Sequence, residues 1–528
     1  MSLKAKMNVI AERCPHKNSR SIGRWIADGF GIERVRIAVV GAKQAGKTVL
    51  LTALQNHLRW LTAACVDDED RKAKTLVGGW HVREVRRVEP KGWKEFNYAS
   101  NRQKLSMEGC WPEETGMCRC MELDVCLTNE KARREIRLQV LDIPGERFSD
   151  LGSMSHANYE SWCENVRTRH YDDTTVPTQW ETYEKRANDA VEKAAKEFAE
   201  VAGNKGLRKD VLGACVQGLI GEYKKFVSDQ VEAHSPFVTP SAFILPNNEK
   251  REDGVEQKAS PGELCACGLV PVTREMLSSK KGLARAVVKE FKRRYEEYKA
   301  DLKIKEIADW LETVNQGYYL VDVLETLHNG PCAYNGLDHQ IGMIMKVFNP
   351  DSVGRIRGLW DFVFQTKPQK FCAVATQVDR VLGESRDRKN IAKLLNNLFA
   401  QSWDGMKCEK KCMLCSAVRS TGERPGEELL IGEFKIMRSL GSDADVPDPK
   451  GGGRLVKNSV KGEYAPMPVP ESWKWNTEEG VDEYVWLYPE PKKFPRSERD
   501  KPRSIGLKEI VEEMVLPKEV LAKKNGGV

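Results

Sequence analysis

Apolar positions near the start of the chain form a short β-branched run, and a helical pattern follows it directly. Residues 35–40 read VRIAVV, and residues 48–60 repeat their apolar side chains at helical spacing. The junction from Gly41 to Thr48 reads GAKQAGKT. A strand, a glycine loop and a helix in this order predict a loop that binds phosphate through backbone N–H groups and the helix N-terminus.

The residues of this loop have distinct predicted roles. Gly41 and Gly46 permit a tight turn that aims N–H groups inward. Lys47 is expected to bind the β- and γ-phosphates, and Thr48 to bind magnesium. An accidental glycine turn is the alternative, which the flanking strand and helix disfavour. The predicted nucleotide-binding residues of this segment are Gly41, Lys43, Gln44, Ala45, Gly46, Lys47, Thr48 and Val49.

Two further strand-like segments end in a second phosphate motif. Residues 121–126 (MELDVC) and 136–141 (IRLQVL) are separated by a charged turn, as expected for a hairpin at a sheet edge. The second segment runs into residues 142–145 (DIPG). Asp142 is expected to hold magnesium through water, and the N–H of Gly145 to contact the γ-phosphate.

The residue after this motif is a candidate for water activation. Glu146 lies where many GTPases have a glutamine that orients water. A carboxylate can orient water or act as a base, but it repels phosphate oxygens, so slow hydrolysis is expected. Lys47 and Glu146 are the candidate catalytic residues. Arg147 is the nearest group that could neutralise the charge of Glu146, although a surface arginine is the simpler interpretation.

The pattern of apolar and polar positions changes over residues 153–314, which are rich in Ala, Glu and Lys and contain few strand signals. Stretches 183–201 and 283–310 predict helices. A basic run at 292–294 alternates with glutamates, as on a solvated helix face. The proline-containing segment 235–268 is expected to be irregular.

Strand-like runs then return at 318–323 (YYLVDV) and 371–376 (FCAVAT), with a shorter candidate at 412–416. Their alternation with helices predicts a doubly wound parallel sheet. Residues 422–472 are rich in Gly, Pro and charge, which predicts surface loop. Residues 506–516 predict a last helix that packs on the core.

A third motif follows the FCAVAT strand. Residues 376–379 read TQVD, where guanine-specific GTPases have N/T-K-x-D. Asp379 can accept hydrogen bonds from N1 and N2 of guanine, which adenine does not donate in the same way. Gln377 replaces the usual lysine, which weakens the guanine assignment. Residues 416–417 (SA) match a short element whose N–H contacts guanine O6. The predicted base-binding residues are Thr376, Gln377, Asp379, Ser416, Ala417 and Val418.

Composition narrows the class of protein. The 528 residues accommodate about three domains, or one large α/β domain with an elaborate insertion. Lys and Arg number 84 against 77 Asp and Glu, an excess too small to favour nucleic acid as a partner. No apolar run approaches the ~18 residues that span a bilayer, and the first residues lack the apolar core of a signal peptide. A cytoplasmic location is therefore expected.

Fifteen cysteines are scattered along the chain, and most are expected to be free thiols in a reducing compartment. Two groupings have metal-ligand character, Cys118 with Cys120, and the cluster 408–415. A zinc site normally shows two CxxC-like pairs at a fixed separation. The single pair of Cys412 and Cys415 therefore disfavours a metal site without excluding it.

The chain resembles the YcjX-like family of P-loop GTPases from about Ile32 to Leu516. The similar segments are RIAVVGAKQAGKTVLLTALQNHL, LQVLDIPGERFSDL, YLVDVLETLHNGPCAYN, CAVATQVDRV and SAVRST. GPCAYN, at residues 330–335, is the most distinctive, since many families share the other motifs. The resemblance implies a GTPase-like α/β core with a large helical insertion. It also implies that Thr115, at the position of the family's switch threonine, is a magnesium ligand. Gln377 and Arg147 depart from the family, which usually has a lysine and an aromatic residue there.

The sequence thus predicts an α/β fold, a doubly wound P-loop NTPase core of the GTPase type with a large, mostly helical insertion domain. The predicted parts are a first core part (32–152), the insertion (153–314), a second core part (315–422) and a loop-rich extension packing on the core (423–528).

The predicted function is a GTPase that uses GTP/GDP and Mg²⁺ and hydrolyses GTP slowly as a regulatory switch. An ATPase with relaxed base specificity and a nucleotide-stabilised scaffold with negligible turnover are the alternatives. The expected partner is an unidentified protein effector, with membrane association left open. The family's loose association with stress responses implies a role there.

Overall fold

Helices and strands alternate through most of the chain in the computed structural model. The structure describes residues 32–42, 45–112, 118–145, 147–154, 157–172, 177–232, 239–241, 268–280, 282–311, 313–348, 370–383, 386–404, 408–423, 429–435, 459–464, 466, 468–473, 488–489, 491 and 494–525.

The strands of these residues form two sheets. They are β1 (Ile32–Gly41), β2 (His81–Val88), β3 (Lys94–Glu95), β4 (Arg119–Thr128), β5 (Arg133–Asp142), β6 (Gln316–Val321), β7 (Lys370–Ala375), β8 (Glu409–Leu414), β9 (Gly422–Glu423), β10 (Leu430–Lys435), β11 (Ser459–Tyr464) and β12 (Tyr488–Pro489).

The helices lie between and after these strands. They are α1 (Lys47–Leu61), α2 (Asp68–Lys74), α3 (Tyr98–Gln103), α4 (Arg147–Met154), α5 (Tyr159–Asp172), α6 (Pro177–Glu200), α7 (Lys205–Glu232), α8 (Arg274–Ser278), α9 (Gly282–Asp301), α10 (Ile304–Leu311), α11 (Val323–His328), α12 (Gly330–Phe348), α13 (Arg386–Trp403), α14 (Leu507–Val515) and α15 (Lys518–Asn525).

The larger sheet has the order β2-β4-β5-β1-β6-β7-β8, with the short β3 beside β4. Strands β5, β1, β6, β7 and β8 run parallel to one another, whereas β4 pairs antiparallel with β5 and β2 pairs antiparallel with β4. In register, Val39 of β1 lies opposite Asp142 of β5, and Gly41 lies opposite Leu320 of β6. The carboxyl ends of five parallel strands therefore meet at one edge of the sheet.

Helices cover both faces of this sheet. Successive side chains of a strand point to opposite faces, so Val39 and Leu320 enter one core with residues of α1 and α14. Val40 and Val321 enter the other core, with residues of α10 to α13. These strands are buried on both faces, which explains their nearly continuous apolar runs. The prediction of a mixed α/β architecture with a mostly parallel central sheet is confirmed.

Between β5 and β6, the described residues are helical and have an apolar core of their own. Helices α5, α6, α7 and α9 contribute buried aromatic side chains, among them Trp162, Tyr183, Tyr223, Phe291 and Tyr295. In the basic run at 292–294, Lys292 and Arg293 are exposed and pair with Glu160 and Glu290. Arg294 is partly buried and donates to the carbonyl oxygen of Gly268 at 3.1 Å. Among the described residues, no helix is both long and apolar enough to cross a membrane.

Several predicted elements need correction. The hairpin β4–β5 does not lie at the sheet edge, because β2 pairs with β4 on its outer side. Strand β2 was missed because its outward face has mostly charged side chains, with only Val82 fully buried. Residues 422–472 are not all loop, since they include β9, β10 and β11.

Two other boundaries differ from the sequence prediction. The predicted helix 283–310 is two helices, α9 and α10, separated at Lys303 with a left-handed φ of 51°. The strand expected at 412–416 runs from Glu409 to Leu414. The segment 235–268 lies mostly outside the described residues.

The helix α14 packs on α1 and β1, as expected for the last predicted helix. Its Glu513, which is almost fully buried, accepts hydrogen bonds from Lys370 at the start of β7 and from Lys411 of β8. Burial opposes ionisation of Glu513, yet the two ammonium groups lower its pKa below the ordinary value. The pairing joins α14 to the amino-terminal edge of two neighbouring strands.

Helix α1 buries a histidine under α14. His57 is 4% exposed, and its ring centroid lies 5.4 Å from that of Trp60. Neither ring nitrogen has a hydrogen-bond partner within the described part of the chain. Burial lowers the pKa of His57 from 6.5 to about 4, and the nearby ammonium of Lys508 adds to this effect.

Because of His57, we predict that the folded protein is less stable in acid than at neutral pH. Because its folded pKa is depressed, the unfolded chain binds a proton below pH 6.5 that the folded chain does not take up until pH falls to about 4. We expect the free energy of unfolding to fall by about 2 kcal/mol between pH 7 and pH 5 from this group.

Urea unfolding at the two pH values measures the effect. His57→Leu should reduce the pH dependence by that amount, whereas His81→Gln, which changes an exposed histidine on β2, should leave it as in the parent. Equal pH dependence in the parent and His57→Leu would contradict the assignment.

Substitution of Gly41, at the end of β1, is predicted to lower the stability of the fold. Gly41 has φ 150°, and a Cβ there would lie 2.4 Å from the carbonyl oxygen of Leu320. We expect Gly41→Ala to lower the free energy of unfolding by about 3 kcal/mol, because backbone strain and a backbone clash act together.

Gly92→Ala is the matched control, since Gly92 also has a positive φ (82°) but has no atom within 4 Å of the added Cβ. It should cost about 1 kcal/mol. Chemical denaturation compares the two variants, and equal losses would show that the contact with Leu320 has no effect of its own.

Candidate nucleotide-binding site

Five chain segments meet at the carboxyl edge of the parallel strands. Gly41 ends β1, Asp142 ends β5, and Asp322 follows β6. Thr376 follows β7, and Ser416 lies two residues beyond β8. Ligands of open α/β sheets bind at this edge, outside the carboxyl ends of the strands. The structure thus brings the three sequence motifs to one side of the sheet.

The predicted phosphate loop lies between Gly41 and the start of α1. Gly46 precedes α1 in a left-handed conformation with φ 81°. The Nζ of Lys47 donates to the carbonyl oxygens of Gly41 (2.9 Å) and Ala42 (2.7 Å). Lys47 is only 8% exposed, so its ammonium is held against the loop rather than extended into solvent. Lys43 and Gln44 lie outside the described residues.

Asp142 and Thr48 form the contact between the first two motifs. The hydroxyl of Thr48 donates to Oδ2 of Asp142 at 3.1 Å, and Asp142 is 1% exposed. Two oxygen ligands at this spacing beside a phosphate loop fit magnesium, which prefers carboxylate and hydroxyl oxygens.

The rest of the second motif follows directly. Gly145 is buried, and α4 begins at Arg147, whose N–H donates to Pro144 at 3.1 Å. Thr115 and Glu146 lie outside the described residues, so their predicted roles stay predictions.

On the base side, Asp379 is bound to the loop after β8. Its Oδ1 accepts from the hydroxyl of Ser416 at 2.6 Å, and its Oδ2 accepts from the N–H of Ser420 at 2.9 Å. Its backbone oxygen accepts from the hydroxyl of Thr421 at 2.6 Å. Asp379 is 3% exposed. The contacts with Ser416 and Ser420 therefore fix the orientation of the carboxylate.

The turn before Asp379 has an unusual backbone. The N–H of Thr376 donates to Val321 at 2.8 Å, which joins the ends of β6 and β7. Gln377 has φ 56° and ψ 31°. A left-handed conformation is uncommon for a residue other than glycine and recurs at functional sites. The residue that replaces the usual lysine thus adopts a strained backbone.

The loop after β8 is paired with the C-terminal part of the chain. The N–H of Ser416 donates to Ile505 at 2.9 Å, and that of Arg419 donates to Arg503 at 2.8 Å. The N–H of Ser416 is thereby used within the protein, and its hydroxyl orients Asp379. The N–H groups of Ala417 and Val418 are then the candidates for contact with a base carbonyl.

One buried ion pair at this edge was missed by the sequence interpretation. Arg380 donates to Oδ2 of Asp322 at 3.2 Å, and their side chains are 1% and 7% exposed. Burial raises the pKa of Asp322 to about 6, and the Arg380 guanidinium opposes this rise. The sequence nevertheless pointed to Asp322, because this residue lies at the carboxyl end of a buried strand, as Asp142 does.

The cysteine groupings show no metal-ligand arrangement. Among the described residues, no group of three or more His, Cys, Asp or Glu side chains could hold a metal ion. Burial raises the pKa of both Cys118 and Cys120 to about 12 and that of Cys412 to about 11, which disfavours the thiolate form that metals bind. These thiols pack as apolar groups.

Comparison of the sequence with known proteins identifies a family. A model of the YcjX-like family (DUF463) matches residues 35–429. The protein named Ras-like GTPase YcjX from Shewanella oneidensis is 24% identical over 409 residues, which are 73% of this chain and 77% of that protein. The family match includes the phosphate loop, the DIPG motif, the TQVD motif and the GPCAYN segment. The chain therefore belongs to the YcjX-like family.

Proposed function

We propose that this protein is a GTPase that binds GTP or GDP with magnesium and hydrolyses GTP slowly as a regulatory switch. The observation that supports this most is that the phosphate loop, Asp142 and Asp379 lie along one edge of the parallel strands, with Thr48 bonded to Asp142. The name of the relative, Ras-like GTPase YcjX, agrees with this proposal.

The phosphate end of the site would bind the nucleotide through charge and backbone N–H groups. The ammonium of Lys47 already lies at the loop carbonyls, so a phosphate oxygen can replace one of them without a large side-chain movement. Residues 45–49 place the positive end of the α1 dipole at the same point. The contributions of Lys43 and Gln44 remain predictions from the sequence.

Thr48 and Asp142 are the residues that would hold magnesium. Their hydroxyl and carboxylate are already in contact, and both lie at the loop end where the phosphates would bind. When bound, magnesium neutralises charge on the phosphate oxygens. Thr115 would be a further ligand by its position in the family.

Asp379 would select the base. A carboxylate accepts hydrogen bonds and cannot donate them, so it matches the N1–H and N2–H groups of guanine. The corresponding edge of adenine presents an acceptor at N1, which the carboxylate repels. The contacts of Asp379 with Ser416 and Ser420 fix the orientation of its lone pairs before the base arrives, which reduces the entropy cost of binding.

Hydrolysis would occur by in-line attack of water on the γ-phosphate. Glu146 would orient that water, and Gly145 would contact the γ-phosphate through its N–H. Since a carboxylate near the phosphate oxygens gives less charge stabilisation than a neutral amide, the rate should be low.

Base preference tests this proposal. We expect the magnesium-loaded parent to prefer GTP over ATP by about tenfold or more in competition binding, about 1.4 kcal/mol. In Asp379→Asn, the amide can donate to the C2 carbonyl of xanthine. Affinity for xanthosine triphosphate should therefore rise about tenfold while affinity for GTP falls by about the same factor.

A variant that gains affinity for xanthosine triphosphate must still be folded. This gain therefore distinguishes a change in base recognition from unfolding. Asp404→Asn, which changes an exposed aspartate at the end of the α13 segment, is the matched control and should leave all three affinities unchanged. Equal binding of GTP and ATP by the parent, with no gain for the xanthine nucleotide, would favour the ATPase alternative. Bound GTP that stays unhydrolysed after long incubation would favour the scaffold alternative.

The helical region between β5 and β6 would act as an insertion that senses the nucleotide. Helix α4 follows Gly145 and packs against α12 and α10 on the core side. Its Asp150 is fully buried and accepts hydrogen bonds from the hydroxyls of Thr239 (2.8 Å), Ser241 (2.5 Å) and Tyr298 (2.7 Å). A movement of α4 on loss of the γ-phosphate would therefore reach α9 through Asp150.

Limited proteolysis tests this coupling. We expect cleavage within residues 153–314 to differ between GDP and a GTP analogue in the parent. In Asp150→Asn the difference should shrink, because an amide nitrogen cannot accept these hydroxyl bonds. Glu164→Gln removes a half-buried acid paired with Arg274 in the same region and serves as the control. Identical cleavage of the parent in both nucleotide states would rule the coupling out.

A further inference from the structure

The base-binding turn has a second anchor on the side away from Asp379. Residues Val378–Arg380 form a single 3-10 turn. Asp379 reaches toward the loop after β8, whereas its neighbour Arg380 reaches back to Asp322 at the end of β6. Consecutive residues thus tie the turn to different strand ends.

Burying this ion pair has a large desolvation cost. Arg380 is among the largest fully buried side chains in the described part of the chain. A pair of apolar side chains at such a place would usually stabilise the fold equally well or better. One guanidinium nitrogen of Arg380 and one carboxylate oxygen of Asp322 lie 3.2 Å apart, and separating these two buried groups would leave an unpaired buried charge. The ion pair therefore explains how the turn Val378–Arg380 is held in position better than it explains the stability of the fold.

Asp322 is itself held in place by the helix that follows. It caps α11, since its Oδ1 accepts from the N–H of Glu325 at 3.0 Å while its Oδ2 accepts from Arg380. Its strand pairs with β1, where Leu320 lies opposite Gly41 at the start of the phosphate loop. Arg380 thus connects the base turn to the strand that also supports the phosphate loop.

We propose that Asp322 and Arg380 form a positioning pair that holds the turn 376–381 so that Asp379 meets the guanine edge. Both side chains are buried, so the pair acts on the base through the turn that it holds. It sets the distance between the base turn and the phosphate loop through β6. This inference rests on the proposed guanine specificity only for its effect on affinity, because the placement of the turn is a property of the protein without nucleotide.

Hydrogen exchange of the nucleotide-free protein tests placement directly. Asp322→Asn keeps an N-cap for α11, since asparagine caps helices as well as aspartate, but removes the charge that Arg380 pairs with. Arg380→Gln removes the other partner. We expect amide exchange at 376–381 to become at least about tenfold faster in both variants. Arg386→Gln makes the same change at an exposed arginine six residues later. It should leave amide exchange at 376–381 unchanged.

Competition binding of GTP, ATP and inorganic triphosphate then measures the consequence. Each variant should lose about tenfold in affinity for GTP and stay within about twofold of the parent for ATP and triphosphate. The double variant should lose no more than the larger single loss, because both changes remove one contact. If Arg380→Gln fails to fold, Asp322→Asn alone serves in both measurements, with the same expected changes.

The outcomes separate this inference from the proposed function. Unchanged exchange at 376–381, or parallel losses for GTP, ATP and triphosphate, would overturn the positioning role. A parent that binds GTP and ATP equally would overturn the guanine specificity instead, and the exchange comparison would then decide the positioning role by itself.

Discussion

The parallel pairing of β1 with β5 on one side and β6 on the other is the constraint on which the rest of the structure depends. Gly41 has no side chain, so the end of β1 lies directly against the carbonyl of Leu320. The same pairing places Val39 opposite Asp142, which brings that carboxylate within hydrogen-bond distance of Thr48. The further parallel strands β7 and β8 add their carboxyl ends to the same edge, where the polar residues collect.

Helix α4 contacts both the core of the central sheet and the helical region between β5 and β6. Its start follows the DIPG turn at the candidate phosphate site, and its buried Asp150 accepts hydrogen bonds from residues of the helical region. The structure thus has a short helix between the central sheet and a separate aromatic core. Such a position suits the transmission of small displacements, since packed cores resist continuous deformation.

Local patterns predicted most of the sheet and the three motifs. The phosphate loop and Asp379 follow buried strands and Asp142 ends one, so their placement needed only the strand and the residues at its carboxyl end. The pair of Asp322 and Arg380 was not predicted, because its partners are 58 positions apart and meet only when β6 and β7 are neighbours. Strand β2 was missed because its charged outward face hides the period-two pattern of a half-buried strand.

The pairing of Ser416 with Ile505 has a consequence for how the protein is made. The loop that orients Asp379 obtains two of its backbone partners from residues 503 and 505. During synthesis the phosphate loop leaves the ribosome hundreds of residues earlier than this segment. The loop that orients Asp379 therefore obtains these backbone partners only after every strand of the larger sheet has been synthesised.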